Sequence, residues 1–109
     1  MKRFQIRQGD VFVEALDGEI PAMAKAVKPD AGRTILAYGE VTGHAHAMPG
    51  AKAKLFRVAD ESTMTSYLTV KETVALQHEE HAPIEIPPGN YRVNVQREYS
   101  PEAIRQVAD

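Results

Sequence analysis

The sequence contains no cysteine, and this absence excludes several kinds of chemistry at once. The protein has no disulfide framework, no thiolate metal site and no cysteine nucleophile, so any metal ion must be bound by imidazole and carboxylate groups. Long hydrophobic runs are absent as well. No segment approaches the roughly 18 apolar residues of a membrane span, and residues 1–10 lack the apolar stretch of a signal peptide. We therefore expect a cytoplasmic protein that does not associate with membranes.

Neither sign of charge dominates the sequence. The sequence has thirteen Lys and Arg residues and fifteen Asp and Glu residues, so its formal net charge is -2. The basic residues are scattered along the chain. Nucleic-acid binding is therefore not expected as the main activity. The sequence also lacks a glycine-rich phosphate loop and a Gly-x-Ser-x-Gly elbow. These absences argue against a phosphate-loop nucleotide site and against a serine hydrolase.

The chain of 109 residues has the length of one domain, which we place at 1–109, and its 43% apolar and 26% charged residues are typical of globular proteins. Seven glycines and seven prolines divide it into short segments. This spacing predicts a mainly β protein, a small barrel or sandwich of about six to eight strands. A short C-terminal helix is predicted over Pro101–Ala108, with Ser100 as its N-cap. The predicted strands are Asp10–Leu16, Thr34–Met48, Lys54–Ala59, Met64–Val70, Thr73–His81 and Tyr91–Tyr99.

All four histidines fall in two tight pairs, His44 with His46 and His78 with His81. Residues two apart on a strand share a face, so the first pair can bind one ion together. Residues three apart do not, so the second pair converges only where the strand ends or bulges. Otherwise the pairs that share a face are His78 with Glu80, or Glu79 with His81. Either set, added to the first pair, suits Zn²⁺, Fe²⁺, Mn²⁺ or Ni²⁺.

Four further residues are candidates for the same site. Glu40 and Thr42 share the strand parity of His44, which makes Glu40 a candidate general base and Thr42 a candidate partner of the ligands. Arg97 is interpreted either as an ion-pair partner or as an anion-binding residue, and Tyr99 as a hydroxyl donor beside it. The competing interpretation of the whole set is an ordinary row of polar strand residues facing solvent.

Two resemblances rest on these residues. A strand with His44 and His46, followed later by Ile86-Pro87-Pro88-Gly89, resembles the cupin layout, which implies a metal pocket in a small β-barrel. Arg92 stands where the second cupin motif has its histidine, so His78 or His81 would have to replace it. The strings QGDVFV, GEVTGHAHAM, HEEHAPI and GNYRVNVQREYSPE are similar to small uncharacterised bacterial and phage proteins, a resemblance that implies no activity.

The sequence therefore supports two hypotheses about function. The first is a metal-binding protein that acts on a small molecule through its histidines, with self-association into a homo-oligomer expected from unpaired strand edges. The second is a non-enzymatic binding or assembly module, bacterial or phage, whose histidines are structural or contact a protein partner. An enzyme needs an open coordination position and a pocket, whereas a module needs only an exposed face or a closed site.

Overall fold

The computed structural model describes residues 4–39, 43–59 and 65–96, and these residues form ten β-strands. The strands are short because turns of glycine, proline and charged residues interrupt the apolar alternation. Their bounds are β1 Gln5–Gln8, β2 Val11–Ala15, β3 Lys25–Ala26, β4 Arg33–Tyr38, β5 Ala45–Pro49, β6 Ala53–Arg57, β7 Thr65–Val70, β8 Val74–Leu76, β9 Ile84–Ile86 and β10 Gly89–Val95.

Six strands form one antiparallel sheet in the order β1-β2-β10-β7-β6-β3. Its central strands alternate in burial, as a sheet with one face on the core requires. In β2, for example, Val11 and Val13 are fully buried, and Val93 of β10 lies directly opposite Val13. Residue pairing is thus fixed by the row of apolar side chains that all four central strands turn inwards.

The other four strands form two hairpins, β4 with β5 and β8 with β9. A register shift between Ile35 and Ala37 makes a bulge in β4. Both hairpins contribute to the same hydrophobic cluster as the large sheet, which is why they pack on it. The members of this cluster are Val11, Val13, Leu36, Met48, Ala53, Leu55, Leu68, Val70, Val74, Leu76, Ile86, Tyr91 and Val93.

The mainly β prediction is confirmed. Of the two predicted architectures, a barrel or a sandwich, the closed barrel is wrong. Within the described residues the six-stranded sheet is open, with β1 and β3 at its edges, and ten strands replace the six to eight expected. The strand β1, which lies before Asp10, was not predicted. The C-terminal helix predicted over Pro101–Ala108 lies outside the described residues. Within the described part of the chain, no helix is long and apolar enough to cross a membrane.

Two predicted strands are shorter than expected. The segment Thr34–Met48 is a hairpin instead of one strand, because the chain reverses between β4 and β5. Gly43 has a φ of 89°, a conformation that glycine adopts readily, and the Gly39 N–H donates to the carbonyl of His44 at 2.8 Å to close the hairpin. The segment Thr73–His81 stops being a strand after Leu76. Apolar residues alternate along the whole of both segments, so this alternation alone did not indicate where the strands end.

Leu68 is fully buried at the centre of β7, and its truncation tests the shared core. We expect Leu68→Ala to lower the free energy of unfolding by about 2–5 kcal/mol, because it leaves a cavity between the sheet and the hairpins. Urea denaturation measures this change. Met23→Ala is the control, since Met23 is 68% exposed, and it should change stability by less than about 0.5 kcal/mol. Equal effects of the two substitutions would contradict the proposed core.

Candidate metal centre

The site begins with a short piece of antiparallel pairing between β5 and the residue that follows β8. Ala47 and Gln77 exchange both backbone hydrogen bonds, at 3.0 and 2.9 Å. In such a ladder the next pair outward has no hydrogen bonds of its own, and its side chains lie closest together. That next pair is His46 and His78. The backbone therefore places one histidine of each sequence pair opposite the other.

The four imidazole rings form one connected cluster, in which His78 contacts the other three. The ring centroids of His46 and His78 are 4.3 Å apart, and those of His78 and His81 are 4.7 Å apart. His44 meets His78 edge to face at 5.5 Å, and His46 meets His81 at 5.9 Å. The strand ends before His78, and this release from the ladder lets His78 and His81 approach the same place.

The side chain of Glu79 replaces the next backbone hydrogen bond of the pairing between β5 and the segment after β8. The pairing started by Ala47 and Gln77 would next use the backbone carbonyl of Glu79 opposite Ala45. Instead, the Ala45 N–H donates to Oε1 of Glu79 at 2.9 Å. This bond, a second one from the backbone N–H of Glu79 itself, and the nearby His44 and His78 rings lower the pKa of the Glu79 carboxyl. Glu79 is therefore held as a carboxylate beside two imidazoles.

Glu80 contacts two of the histidines. Its Oε2 lies 3.8 Å from Nδ1 of His44, and its backbone N–H donates to Nδ1 of His78 at 3.0 Å. Because that nitrogen accepts a hydrogen bond, a neutral His78 carries its proton on Nε2. Glu80 thus orients the His78 ring through its backbone N–H and places a carboxylate near the His44 ring.

Gln8 fixes the orientation of His46. Its Nε2 donates to the carbonyls of Leu76 and Ala82 at 2.9 and 3.0 Å, which leaves Oε1 facing Nδ1 of His46 at 2.8 Å. Nδ1 must then carry the proton, and the lone pair of a neutral His46 is on Nε2, 3.6 Å from Oδ1 of Asp10. Gln8 and His46 are only 2% and 3% exposed. One buried amide therefore sets a tautomer and also attaches both ends of the 77–81 segment to β1.

The turn between β1 and β2 packs directly on the rings. Gly9 and Asp10 form a two-residue hairpin loop, and Gly9 has a φ of 60°. A Cβ atom on Gly9 would lie 2.8 Å from Nε2 of His81 and 3.2 Å from Cε1 of His46. One on Gly39 would lie 2.9 Å from the Cβ of His44. At both positions a side chain would crowd a histidine, and this favours glycine.

The histidine cluster borders a cleft of about 370 Å³, which we call the histidine cleft. One ligand atom each of His44, His78 and Glu79 lies within 4.8 Å of the others. The lining offers only nitrogen and oxygen donors of the kind that first-row divalent metals accept. The residues that line it are Arg7, Gly9, Asp10, Gly39, His44, His46, His78, Glu80, His81 and Gln96.

The sequence predicted the four histidines and both glutamates as site residues, and the structure brings them to one place. The other candidates, Glu40, Thr42, Arg97 and Tyr99, lie outside the described residues. Sequence reasoning missed Gln8, Gly9 and Asp10. A signal for them existed, because Gly-Asp between two strand-like segments is a typical two-residue hairpin loop. Nothing local, however, indicates that this loop meets histidines that are more than thirty residues away.

The fold and site define a small, mainly β protein with a cleft lined by clustered histidines. The chain belongs to the family described as Domain of unknown function (DUF8820), which matches residues 7–96. This agrees with the expected likeness to uncharacterised proteins, whereas the cupin-like layout stays a prediction. No curated protein and no solved structure matches the chain.

Removal of the Gln8 side chain tests its structural role. Gln8→Ala leaves His46 without its buried acceptor and two carbonyls without a donor, so we expect a loss of about 1–3 kcal/mol in the free energy of unfolding. Urea denaturation of metal-free protein measures it. Gln5→Ala is the matched control on the exposed end of the same strand. If both variants lose the same stability, the buried amide does not hold the site together.

Gly9→Ala tests the contact between the hairpin loop and the rings. We expect a loss of more than about 1 kcal/mol, since both the positive φ and the approach of His81 oppose a Cβ atom. Gly32→Ala is the control because Gly32 has a φ of 81° but open space around it. Thermal unfolding should show the larger loss for Gly9→Ala. Equal losses would mean that backbone strain alone acts at Gly9.

Proposed function

We propose that this protein binds one divalent transition-metal ion, Zn²⁺, Fe²⁺, Mn²⁺ or Ni²⁺, at the histidine cluster and presents it to a small molecule in the histidine cleft. The observation that carries the proposal is the convergence of all four imidazoles at one cleft, at centroid distances from 4.3 to 5.9 Å. Clustered imidazoles with a neighbouring carboxylate are a common ligand set for these ions.

His44, His78 and Glu79 are the proposed core of the ligand set. To bind the metal, His78 must give up the hydrogen bond that its Nδ1 accepts from the Glu80 N–H, because that bond occupies the lone pair of the neutral ring. Ligand atoms around a tetrahedral Zn²⁺ lie about 3.3 Å apart, because each is about 2.0–2.1 Å from the metal. The ligand atoms of these three residues lie within 4.8 Å of one another. Each separation must therefore shorten by about 1.5 Å or less, which rotation of the side chains supplies. His46 or His81 is the proposed fourth ligand. The Gln8 bond favours this role for His46, since a partner on Nδ1 orients Nε2 for coordination.

The small-molecule part of the proposal rests on the cleft. A volume of about 370 Å³ lies at the lower end of the range for ligand sites, and its polar lining suits a small polar compound. A metal bound by three or four residues at its edge would polarise a carbonyl or lower the pKa of a bound water. Three further parts of this proposal stay predictions. They are the role of Glu40 as general base, the cytoplasmic location and the assembly into a homo-oligomer.

A structural role for the histidines is the second candidate. His46 is 3% exposed and hydrogen bonded to Gln8, which is typical of an imidazole that stabilises a fold. In that case the protein is a binding or assembly module without a metal. The two candidates differ in one measurable property, because only the first gives metal-dependent stability.

Metal analysis of protein purified without an affinity tag tests the proposal. We expect close to one equivalent of metal, and an added stability of about 2.7 kcal/mol when free metal is 100 times its Kd. The double variant His44→Ala, His46→Ala should lose both. Glu85→Gln is the matched control because Glu85 is an exposed carboxylate on β9, outside the cluster. A wild-type protein with no metal, and no stabilisation by any of the four ions, would favour the structural role.

A further inference from the structure

A second cleft, of about 440 Å³, lies beside β5 and is lined by Ala45, Ala47, Met48 and Pro49 of that strand together with Gln77, His78 and Glu79. We call it the alanine cleft. Ala45, Ala47 and Pro49 alternate with His46 on β5, so they share the opposite face of the strand. Their side chains are small, and this leaves the space that a larger apolar residue would fill. The result is an apolar floor beside the histidine cluster, in which Pro49 is exposed whereas Ala45 and Ala47 are 2% and 4% exposed.

The two ends of the alanine cleft carry opposite charges. Arg33 is the register partner of Pro49, and Glu79 accepts a hydrogen bond from Ala45. Both charged side chains line the cleft. From Ala45 to Pro49 the strand runs about 13 Å, at about 3.3 Å per residue. The floor is therefore bounded by a guanidinium at one end and a carboxylate at the other.

Arg33 is the group that is available to a ligand. It is exposed, and its guanidinium makes no hydrogen bond or ion pair with a side chain in residues 4–39, 43–59 or 65–96. A guanidinium presents a planar set of donors that fits carboxylate, sulfonate or phosphate groups. Glu79 repels an anion from the other end, so a ligand with one anionic group has one favoured orientation.

We propose that the alanine cleft binds a small organic anion with an apolar body, whose anionic group pairs with Arg33 and whose body lies over Ala45, Ala47 and Pro49. The cleft shares His78 and Glu79 with the proposed metal site, but the binding of the anion does not require a metal ion. The overall charge of the chain is negative, so attraction must come from the local field of Arg33 and burial of the apolar body.

The test uses 8-anilinonaphthalene-1-sulfonate, an aromatic sulfonate of this class whose fluorescence rises in apolar surroundings. It is titrated into metal-free, folded wild-type protein, so its outcome is independent of the metal proposal. We expect saturable binding at one site. Arg33→Ala should weaken it about tenfold or more, the effect of losing a charge-assisted hydrogen bond. Gln77→Glu should also weaken it, because it adds a negative charge in the cleft at almost constant shape.

Arg57→Ala is the matched control, since Arg57 is an exposed arginine on β6 that does not line this cleft. It should leave the dissociation constant within about twofold of wild type, within the usual small effect of a surface substitution. Each titration is paired with a thermal unfolding curve, so that binding to partly unfolded protein is recognised. The proposal is overturned if the wild type does not bind the dye at saturation, if binding occurs only with loss of cooperative unfolding, or if Arg33→Ala and Arg57→Ala behave alike.

Discussion

Two backbone hydrogen bonds between Ala47 and Gln77 determine where the chemistry of this protein lies. In the part of the chain that the structure describes, these two bonds pair the backbone of the β4–β5 hairpin with the segment that follows β8. Because side chains in an antiparallel pair alternate between faces, this single pair decides which residues of the two segments meet. A shift by one residue would move His46 away from His78 and turn the alanines towards the histidines. The site depends on register more than on any single side chain.

The ladder ends in an unusual way, and that ending shapes the site. After one pair the chain turns away, and the Glu79 carboxylate takes the place of a backbone carbonyl opposite Ala45. Gln8 then attaches the turned segment to β1 through Leu76 and Ala82. Buried polar groups cost stability unless each has a hydrogen-bond partner. Gln8 is the partner of two backbone carbonyls and of the His46 ring. The same bonds that satisfy these groups also hold the imidazoles in place.

The two faces of β5 border two different clefts. One carries His46, which lines the polar cleft, and the other carries Ala45 and Ala47, which line a more apolar one. His78 and Glu79 line the alanine cleft, and His78 lines the histidine cleft as well, so the two clefts share a wall. A ligand in one cleft would therefore contact groups that also border the metal site proposed in the other. Strand alternation is enough to produce this arrangement in a chain of 109 residues.

The sequence by itself determined the β class, most strand positions and the two histidine pairs, because alternation and residue spacing are local properties. It also placed His44 and His46 on one face, since that follows from a period of two. It did not determine the open sheet, the hairpin inside Thr34–Met48 or the part played by Gln8 and Gly9. Those depend on register and on contacts between residues far apart in the chain, such as Gln8 with Ala82. Only the tertiary structure decides such contacts, because many pairings satisfy the same local pattern and the shared core selects one of them.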